Sequence, residues 1–222
     1  RAYPVALTEA LHKRRFGDKG ILLTDSASIQ IVRNALKSNH ASEVSYALDL
    51  LEKGESDTLS MDLAASIRSQ IPEVRQDAIK RAERLKLSML LPVIQTQLKL
   101  EDDPKVRETA SCALIVLGAD SNTALNLLAQ EDAFTKRGAM IGSLRSSAEN
   151  KKTKAYERLE LLARSDSNKE RIEASELITE STNPALWEVL LPLLNDEDLN
   201  VKKSALRAAT KIRRAELYPF II

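Results

Sequence analysis

The sequence has few of the residues that build disulfide-rich, metal-binding or β-sheet proteins. Among its 222 residues there is one cysteine, Cys112, which excludes an intramolecular disulfide and any site with several cysteine ligands. Aromatic residues make up 4% of the chain, and there are 6 glycines and 7 prolines. This composition is typical of a helical protein and unusual for an all-β protein. No apolar run approaches the roughly 20 residues of a membrane-spanning helix, and no signal peptide is visible.

An excess of charge of one sign is also missing. Lys and Arg number 33 against 32 Asp and Glu, which gives a net charge of +1 and excludes the strongly basic footprint of most nucleic-acid-binding proteins. Residues 1–40 are nevertheless net basic, and residues 41–70 are net acidic. Hydrophobic residues make up 43% of the chain, so it can bury a core.

An alanine recurs at near-equal spacing in the pattern apolar, basic, x, x, Ala. The clearest copies are Val74–Ala78, Val106–Ala110 and Val201–Ala205. We call the six alanines of this pattern the packing alanines: Ala47, Ala78, Ala110, Ala139, Ala174 and Ala205, separated by 31, 32, 29, 35 and 31 residues. A period of this length indicates an array of structural repeats.

Each period is predicted to hold two helices. The helix from Pro104 to Leu117 shows the signals best, since Asp103 can cap its start and Gly118 can end it. The predicted pairs are 26–38 with 41–53, 56–69 with 72–85, 87–100 with 104–117, 121–130 with 132–146, 150–164 with 168–180, and 184–195 with 199–213. Pro72, Pro104 and Pro184 are predicted to open helices, and Pro92, Pro192 and Pro219 to lie in first turns.

These patterns predict an all-α chain that forms an array of about six helix pairs plus a truncated seventh. Small alanines let two helices approach closely, and stacked neighbours complete a core that one pair cannot bury alone. The array is expected over residues 25–222, after a lead helix and loop over residues 1–24. The apolar residues 215–222 repeat the opening of a first-in-pair helix, which predicts a further unit in a longer parent protein; an apolar C-terminal tail is the alternative.

A basic residue stands three positions before several packing alanines. We expect it to pair with an acidic turn residue, such as Asp103 or Asp196, in its own unit or the next one, because charges at a buried edge are usually paired. Ligand binding is the alternative role.

The repeats resemble the HEAT-repeat family. The resemblance is carried by Leu190–Leu206, and by Leu90–Ile94 followed by Asp102–Arg107. It covers about residues 26–222 and weakens in the fourth and fifth units, at Gly138, Gly142 and 149–154. It implies a right-handed α-α superhelix that serves as an interaction scaffold, in which the second helices of the pairs line a concave face.

Residues 3–56 carry a narrower resemblance, through Ile21–Asp25, Val32–Ser38 and Val44–Glu52. They are similar to the segment that follows the last membrane helix in bacterial transporter proteins of the ATP/ADP carrier (nucleotide exchange) type that are fused to HEAT repeats. This resemblance implies a cytoplasmic domain tethered to the inner membrane through its parent, with the basic cluster Lys13–Arg15 near the membrane. A solvated basic helix end is the alternative for that cluster.

Residues that would carry catalysis are not gathered in the sequence. His12 and His40 are far apart, Cys112 has no histidine near it, and no phosphate-binding loop exists. We therefore expect no enzyme, no cofactor and no metal, but a protein-interaction scaffold or spacer within a larger membrane protein. Its partner would be a membrane or sensor domain of the parent, or another protein, and not a nucleic acid. A free-standing HEAT adaptor, a spacer that binds nothing and, more remotely, a HEAT-like lyase are the alternatives.

The candidate partner-binding residues lie two positions before and two positions after the packing alanines, on the second helices. They are Lys80, Glu108, Arg137, Glu176, Lys203 and Arg207. The same two rows contain Gln76, Cys112 and Ile141. Because the rows mix both signs of charge, they favour a protein surface as partner over an anion such as a nucleotide phosphate.

Overall fold

The computed structural model describes residues 26–54, 57–146 and 154–221. The lead segment predicted over residues 1–24, with its basic cluster and His12, lies outside the described residues. Within the described ranges the chain forms thirteen α-helices and three short 3-10 turns, and no β-strand. The all-α prediction is confirmed for this part of the chain.

The described chain divides into two compact units, one ending at Ala113 and the other beginning at Leu114. The division falls inside the sixth helix. The first six helices are α1 Ser26–Ala35, α2 Ala41–Lys53, α3 Leu59–Ser66, α4 Pro72–Arg84, α5 Leu91–Leu100 and α6 Pro104–Val116. A 3-10 turn, Ser88–Leu90, leads into α5.

The second unit continues the same alternation. Its helices are α7 Ser121–Leu128, α8 Ala133–Ser146, α9 Lys154–Ala163, α10 Asn168–Ser181, α11 Trp187–Leu194, α12 Leu199–Ile212 and α13 Tyr218–Ile221. The 3-10 turns Pro184–Leu186 and Ala215–Leu217 lead into α11 and α13. Even-numbered helices are the second helices of the predicted pairs, and the observed bounds fall within a few residues of the predicted ones.

Helices pack against their neighbours in each unit. In the first unit α1 packs on α2, α3 on α4, and α2 on α4. In the second unit α7 packs on α8, α9 on α10 and α11 on α12, while α10 packs on both α8 and α12. Second helices therefore lie side by side within a unit, as expected of stacked helix pairs.

All six packing alanines are fully buried. Each stands near the middle of a second helix, where a larger side chain would hold the neighbouring helix away. The regular spacing of these alanines in the sequence thus reflects a packing position that recurs in every pair.

The predicted helix starts are largely confirmed. Pro72 and Pro104 are the first residues of α4 and α6, and an Oδ1 atom of Asp103 accepts hydrogen bonds from the amides of Lys105 (2.9 Å) and Val106 (3.0 Å). Gly118 follows α6 with a φ of +98°, a conformation that glycine adopts at little cost.

One proline prediction is wrong. Pro192 lies inside α11 and not in its first turn. Pro192 is the sixth residue of α11, which begins at Trp187, and it would lie still further from the start if the 3-10 turn at Pro184–Leu186 were counted with the helix. Pro192 therefore removes one helical hydrogen bond from the middle of a short helix.

Candidate interaction surface

A side chain at one position orders the loop before the second helix in five of the six pairs. That position stands nine residues before the packing alanine, and its side chain accepts a hydrogen bond from the backbone amide two residues later. In each pair the backbone amide of the first residue donates to the side-chain oxygen of the second: His40 to Ser38 (3.2 Å), Ile71 to Ser69 (3.2 Å), Asp103 to Glu101 (3.0 Å), Ser167 to Ser165 (3.1 Å) and Asp198 to Asp196 (2.9 Å). Sequence reasoning missed this position, although its constant offset from the alanines was a usable signal.

The predicted pairing of the basic residue with an acidic turn is confirmed at Arg171. Its guanidinium donates to Asp196 through Nε (2.6 Å) and Nη2 (3.0 Å), and its Nη1 reaches the carbonyl oxygens of Ser165 (2.8 Å) and Asp166 (3.1 Å). One arginine thus holds the loop before its own helix to the loop of the next pair, since a planar guanidinium can serve several acceptors at once.

Arg75 repeats this arrangement in the first unit. It donates to Glu101 at 2.7 and 2.5 Å and to the carbonyl oxygens of Ser69 (2.9 Å) and Gln70 (3.1 Å). Asp103, one of the two acidic residues expected to accept, instead caps α6. The acceptor here is Glu101, two residues earlier, at the position that orders the loop.

Both acidic acceptors are held in the ionised form. Hydrogen bonds from Arg171 keep the pKa of the Asp196 carboxyl below its usual value. Burial works to raise the pKa of Glu101, but hydrogen bonds from Arg75, Gln97 and the Asp103 amide hold that pKa below its usual value. The two arginine–carboxylate pairs are therefore structural links between successive loops.

A second ionic network lies between α2 and α4 in the first unit. The buried guanidinium of Arg81 contacts Asp49 at 2.8 Å, Glu52 at 3.1 Å and Asp77 at 3.1 Å. Arg84 adds two hydrogen bonds to Glu52, at 2.6 and 2.8 Å, and these are the main reason that the pKa of Glu52 is lowered. Burial lowers the pKa of Arg81, but hydrogen bonds and the charges of Asp49 and Asp77 raise it above its usual value.

Sequence reasoning missed the Arg81 network too, but a signal existed. Arg81 stands three residues after a packing alanine. The other second helices carry apolar or small residues at that position: Leu50, Ala113, Gly142, Leu177 and Ala208. A single arginine in an otherwise apolar row indicates a buried charge with partners nearby.

The candidate partner-binding residues differ in exposure. Four are exposed: Lys80, Glu176, Lys203 and Arg207. Glu108 and Arg137 are half-buried. Cys112 and Ile141, which share a row with Lys80, are buried, so the position two residues after the packing alanine does not point outward in every helix.

The structure brings two of the candidates together. An Nη2 atom of Arg137 on α8 lies 3.6 Å from Glu176 Oε2 and 2.7 Å from Glu180 Oε1, both on α10. Arg145, further along α8, donates to the Glu180 carbonyl oxygen at 2.9 Å. A basic helix and an acidic helix are thus joined on the exposed side of the second unit.

The residues that stand two positions before the packing alanines contact the next second helix along the chain. Ser45 on α2 donates to Asp77 on α4 (2.8 Å), and Gln76 on α4 donates to Thr109 on α6 (3.1 Å). Arg137 belongs to the same row. These side chains link neighbouring helices, which the sequence pattern did not predict.

The residues with potential chemistry stand apart from each other. His40 is exposed, Cys112 is buried, and Trp187 is half-buried with the Arg214 guanidinium carbon 6.0 Å from its ring centre. No group of three or more His, Cys, Asp or Glu residues within the described ranges could hold a metal ion. None of the described helices combines the length and apolar character that crossing a bilayer requires.

Two clefts open on the units. One of about 330 Å³ lies in the first unit and is lined by residues that include Arg33, Lys37 and Asp62. The other, of about 180 Å³, lies in the second unit beside Tyr156, Glu160 and Glu188. The linings of both combine charged and apolar groups, and neither contains a cysteine or a histidine.

Comparison with known proteins gives little guidance. No family model and no curated protein matches the sequence. Among solved structures, the crystal structure of an engineered protein is similar at 18% sequence identity and a TM-score of 0.39, covering 83% of this chain and 96% of that chain. A likeness at this level supports no conclusion about fold or function.

Proposed function

We propose that this chain is a protein-interaction scaffold without catalytic activity, built as a HEAT-like right-handed α-α superhelix. The observation that supports this proposal is a contact between successive second helices that recurs in both units. It is made by the residue two positions before the packing alanine, which is Ser45 or Gln76 in the first unit and Arg137 in the second. Such links hold helices side by side and leave one side of each helix free for a partner.

The charges on that free side favour a protein partner. In the second unit α8 and α12 carry basic residues and no acidic one, while α10 between them carries four glutamates together with Lys169 and Arg171. Mixed charge of this kind selects partners by complementarity and speeds their association more than it adds raw affinity. The exposed candidates Lys80, Glu176, Lys203 and Arg207 are the proposed contact residues.

We further propose that the scaffold is the cytoplasmic part of a larger nucleotide-transporter-like protein, tethered through it to the inner membrane. The support is the resemblance of residues 3–56 to ATP/ADP carrier-type proteins. In that setting the partner is another domain of the parent or a separate protein. A free-standing adaptor and a spacer that binds nothing are the competing functions.

Site-specific photo-crosslinking in cells that make the full-length protein tests the scaffold. A photoreactive amino acid replaces Lys80, Glu176 or Arg207, all exposed on second helices. Matched controls carry it at Lys99 on α5 or Leu161 on α9, both exposed on first helices. We expect one partner to be crosslinked from the second-helix positions and not from the controls.

The competing outcomes are distinct. A spacer gives no specific adduct from any of the five positions. Equal crosslinking from both sets would place the contact elsewhere and contradict the second-helix surface. Crosslinks within the parent protein would identify the partner as one of its own domains.

A further inference from the structure

The cleft of about 330 Å³ in the first unit lies between two first helices, α1 and α3. Polar side chains line it on both sides. Those that bear on its chemistry come from α1 and the turn after it, and from α3: Gln30, Arg33, Asn34 and Lys37, and Asp62 and Ser66. The four residues of the α1 side recur at helical spacing, so they form one polar stripe along the cleft.

A small residue on α3 leaves room for the cleft. Ser66 stands twelve residues before its packing alanine and is buried, and its hydroxyl donates to the Asp62 carbonyl oxygen at 2.9 Å. The other first helices carry apolar residues at this position: Ala35, Leu98, Leu127, Leu162 and Leu193. Because serine is smaller than leucine, space remains between α1 and α3 at a position that leucine fills in most pairs.

The guanidinium of Arg33 is held in place at this cleft. Its Nε donates to Asp62 Oδ2 at 3.4 Å and its Nη2 donates to the Thr58 hydroxyl, which in turn donates to Asp62 Oδ2 at 3.1 Å. The Arg33 side chain is 31% exposed and that of Asp62 is 14% exposed. Within the described ranges the Nη1 atom of Arg33 has no acceptor, so an oriented guanidinium keeps donors for a ligand.

Lys37 adds a second cation one turn further along. It is exposed and forms no hydrogen bond or ion pair with the described part of the chain. Two cations, Arg33 and Lys37, stand against the single carboxylate of Asp62, so the cleft has a net charge of +1. Its charge is therefore balanced by one monovalent anion.

The cleft of the second unit provides the contrast. It also lies between two first helices, α9 and α11, and Glu160 occupies the position that Arg33 has in the first unit, fourteen residues before the packing alanine. Arg164 is its one cation, paired with Glu160 at 3.6 Å, and Glu188 adds a second carboxylate. The two clefts have equivalent places in the repeat but opposite net charge.

We infer that the cleft between α1 and α3 binds a small organic carboxylate. A guanidinium matches the geometry of a carboxylate, and Lys37 supplies a second charge beside it. The amides of Gln30 and Asn34 are suited to polar groups on the body of the ligand. A volume of about 330 Å³ is at the lower end of small-molecule sites, about 300–1,000 Å³, which favours a metabolite-sized ligand. The site lies on first helices, so it is separate from the proposed partner surface.

The test compares two ligands that differ in charge and little in shape. Lactate, and lactamide as its neutral match, are titrated into the ¹⁵N-labelled full chain at low salt. We expect lactate to give saturable amide shifts around residues 30–37 and 62–69, and lactamide to bind at least about tenfold more weakly. The cleft between α9 and α11 is the internal control and should not respond to lactate.

Three variants and a control locate the site. Arg33→Gln should weaken lactate binding at least about tenfold, and Lys37→Gln about threefold because that side chain is exposed. Ser66→Leu restores the residue usual at this position and should abolish saturable binding while thermal unfolding stays unchanged or moves upward. Lys53→Gln, at an exposed cation of α2 outside the cleft, should change nothing. Lys37 is exposed, so its variant remains informative if a buried change disturbs folding.

Several results would overturn the inference. Equal binding of lactate and lactamide, or unchanged binding in both Arg33→Gln and Lys37→Gln, would show that the carboxylate is not recognised here. Inorganic phosphate that binds at least tenfold more tightly than lactate would make the ligand a phosphate. An acetylated and amidated Ala-Glu-Ala peptide that binds at least tenfold more tightly would make it a protein side chain. Crosslinking from second-helix positions does not involve this cleft, so the scaffold proposal is tested separately.

Discussion

The two units use arginine differently at the contact between consecutive second helices. In the first unit Arg81 joins α4 to α2 with a side chain that is 8% exposed. In the second unit Arg137 joins α8 to α10 with a side chain that is 20% exposed, and its partners Glu176 and Glu180 are 53% and 43% exposed. The first unit thus has its ion network in the interior between two second helices, and the second unit has its network at the exposed edge of the corresponding contact.

Position relative to the packing alanine explains the difference. Arg81 follows its alanine by three residues and replaces an apolar core residue, so it is desolvated and needs the carboxylates of Asp49, Glu52 and Asp77 to remain charged. Arg137 precedes its alanine by two residues, at the rim of the helix contact, where water screens its ion pairs. We therefore expect the first unit to depend on its ion network for stability more than the second unit does.

Replacement of Arg81 should have the largest effect. Arg81→Met removes the cation shared by Asp49, Glu52 and Asp77 and leaves only Arg84 on Glu52, and we expect a loss of about 3 kcal/mol in the free energy of unfolding. Urea denaturation followed by circular dichroism measures it. The control is Arg84→Ala, which removes an exposed partner of Glu52 and should cost less than about 1 kcal/mol.

The one tryptophan makes the comparison of units direct. Trp187 lies in the second unit, so its fluorescence reports unfolding there, while circular dichroism reports helix content throughout the described chain. If Arg81→Met lowers neither signal's midpoint, the network is not needed for stability and the contrast between the units disappears.

The packing alanines should behave alike in both units. Ala110→Leu and Ala205→Leu each force a larger side chain into a fully buried contact, and we expect a loss of about 1–3 kcal/mol from each. Thermal unfolding of the two variants measures it. Unchanged melting of both would mean that these alanines do not set the distance between helices.

Lowering the pH should distinguish the contribution of the Arg75–Glu101 pair to stability from that of the Arg171–Asp196 pair. The carboxyl pKa values of Glu101 and Asp196 are lowered in the folded chain, so their contribution is complete above the unfolded pKa of about 4 and is lost as the pH falls from there through the folded pKa. Burial is the largest influence on the Glu101 pKa and opposes its lowering, whereas the hydrogen bonds from Arg171 are the largest influence on the Asp196 pKa, so Asp196→Asn should flatten the fall in stability below about pH 4 more than Glu101→Gln does. Unfolding midpoints between pH 2.5 and 6 provide the measurement. Equal flattening by both variants, or none, would contradict the assignment.

The sequence predicted the helices and their pairing because the signals for them are local. Alanine spacing, Asp103 as a cap and Pro104 as a first helical residue depend on a few neighbouring positions. It could not predict that Arg81 finds its partners on α2, since those contacts join residues about 30 positions apart. Four of the candidate surface residues are exposed, but the sequence could not predict the burial of Cys112 and Ile141, which depends on how closely neighbouring helices approach.

The smallest effect concerns Arg137 and its equivalent Lys203, which stand at the same position of α8 and α12. Arg137→Ala removes ion pairs to Glu176 and Glu180 that are largely exposed, so we expect a loss of about 0.5 kcal/mol. Lys203→Ala removes a solvated side chain, and the change should stay within about 0.5 kcal/mol of zero, with either sign. Chemical denaturation at low and high salt distinguishes the two, because added salt should reduce the loss for Arg137→Ala and leave Lys203→Ala unaffected. A salt-dependent loss for Lys203→Ala would show that Lys203 is already paired in the free chain and that the two positions behave alike.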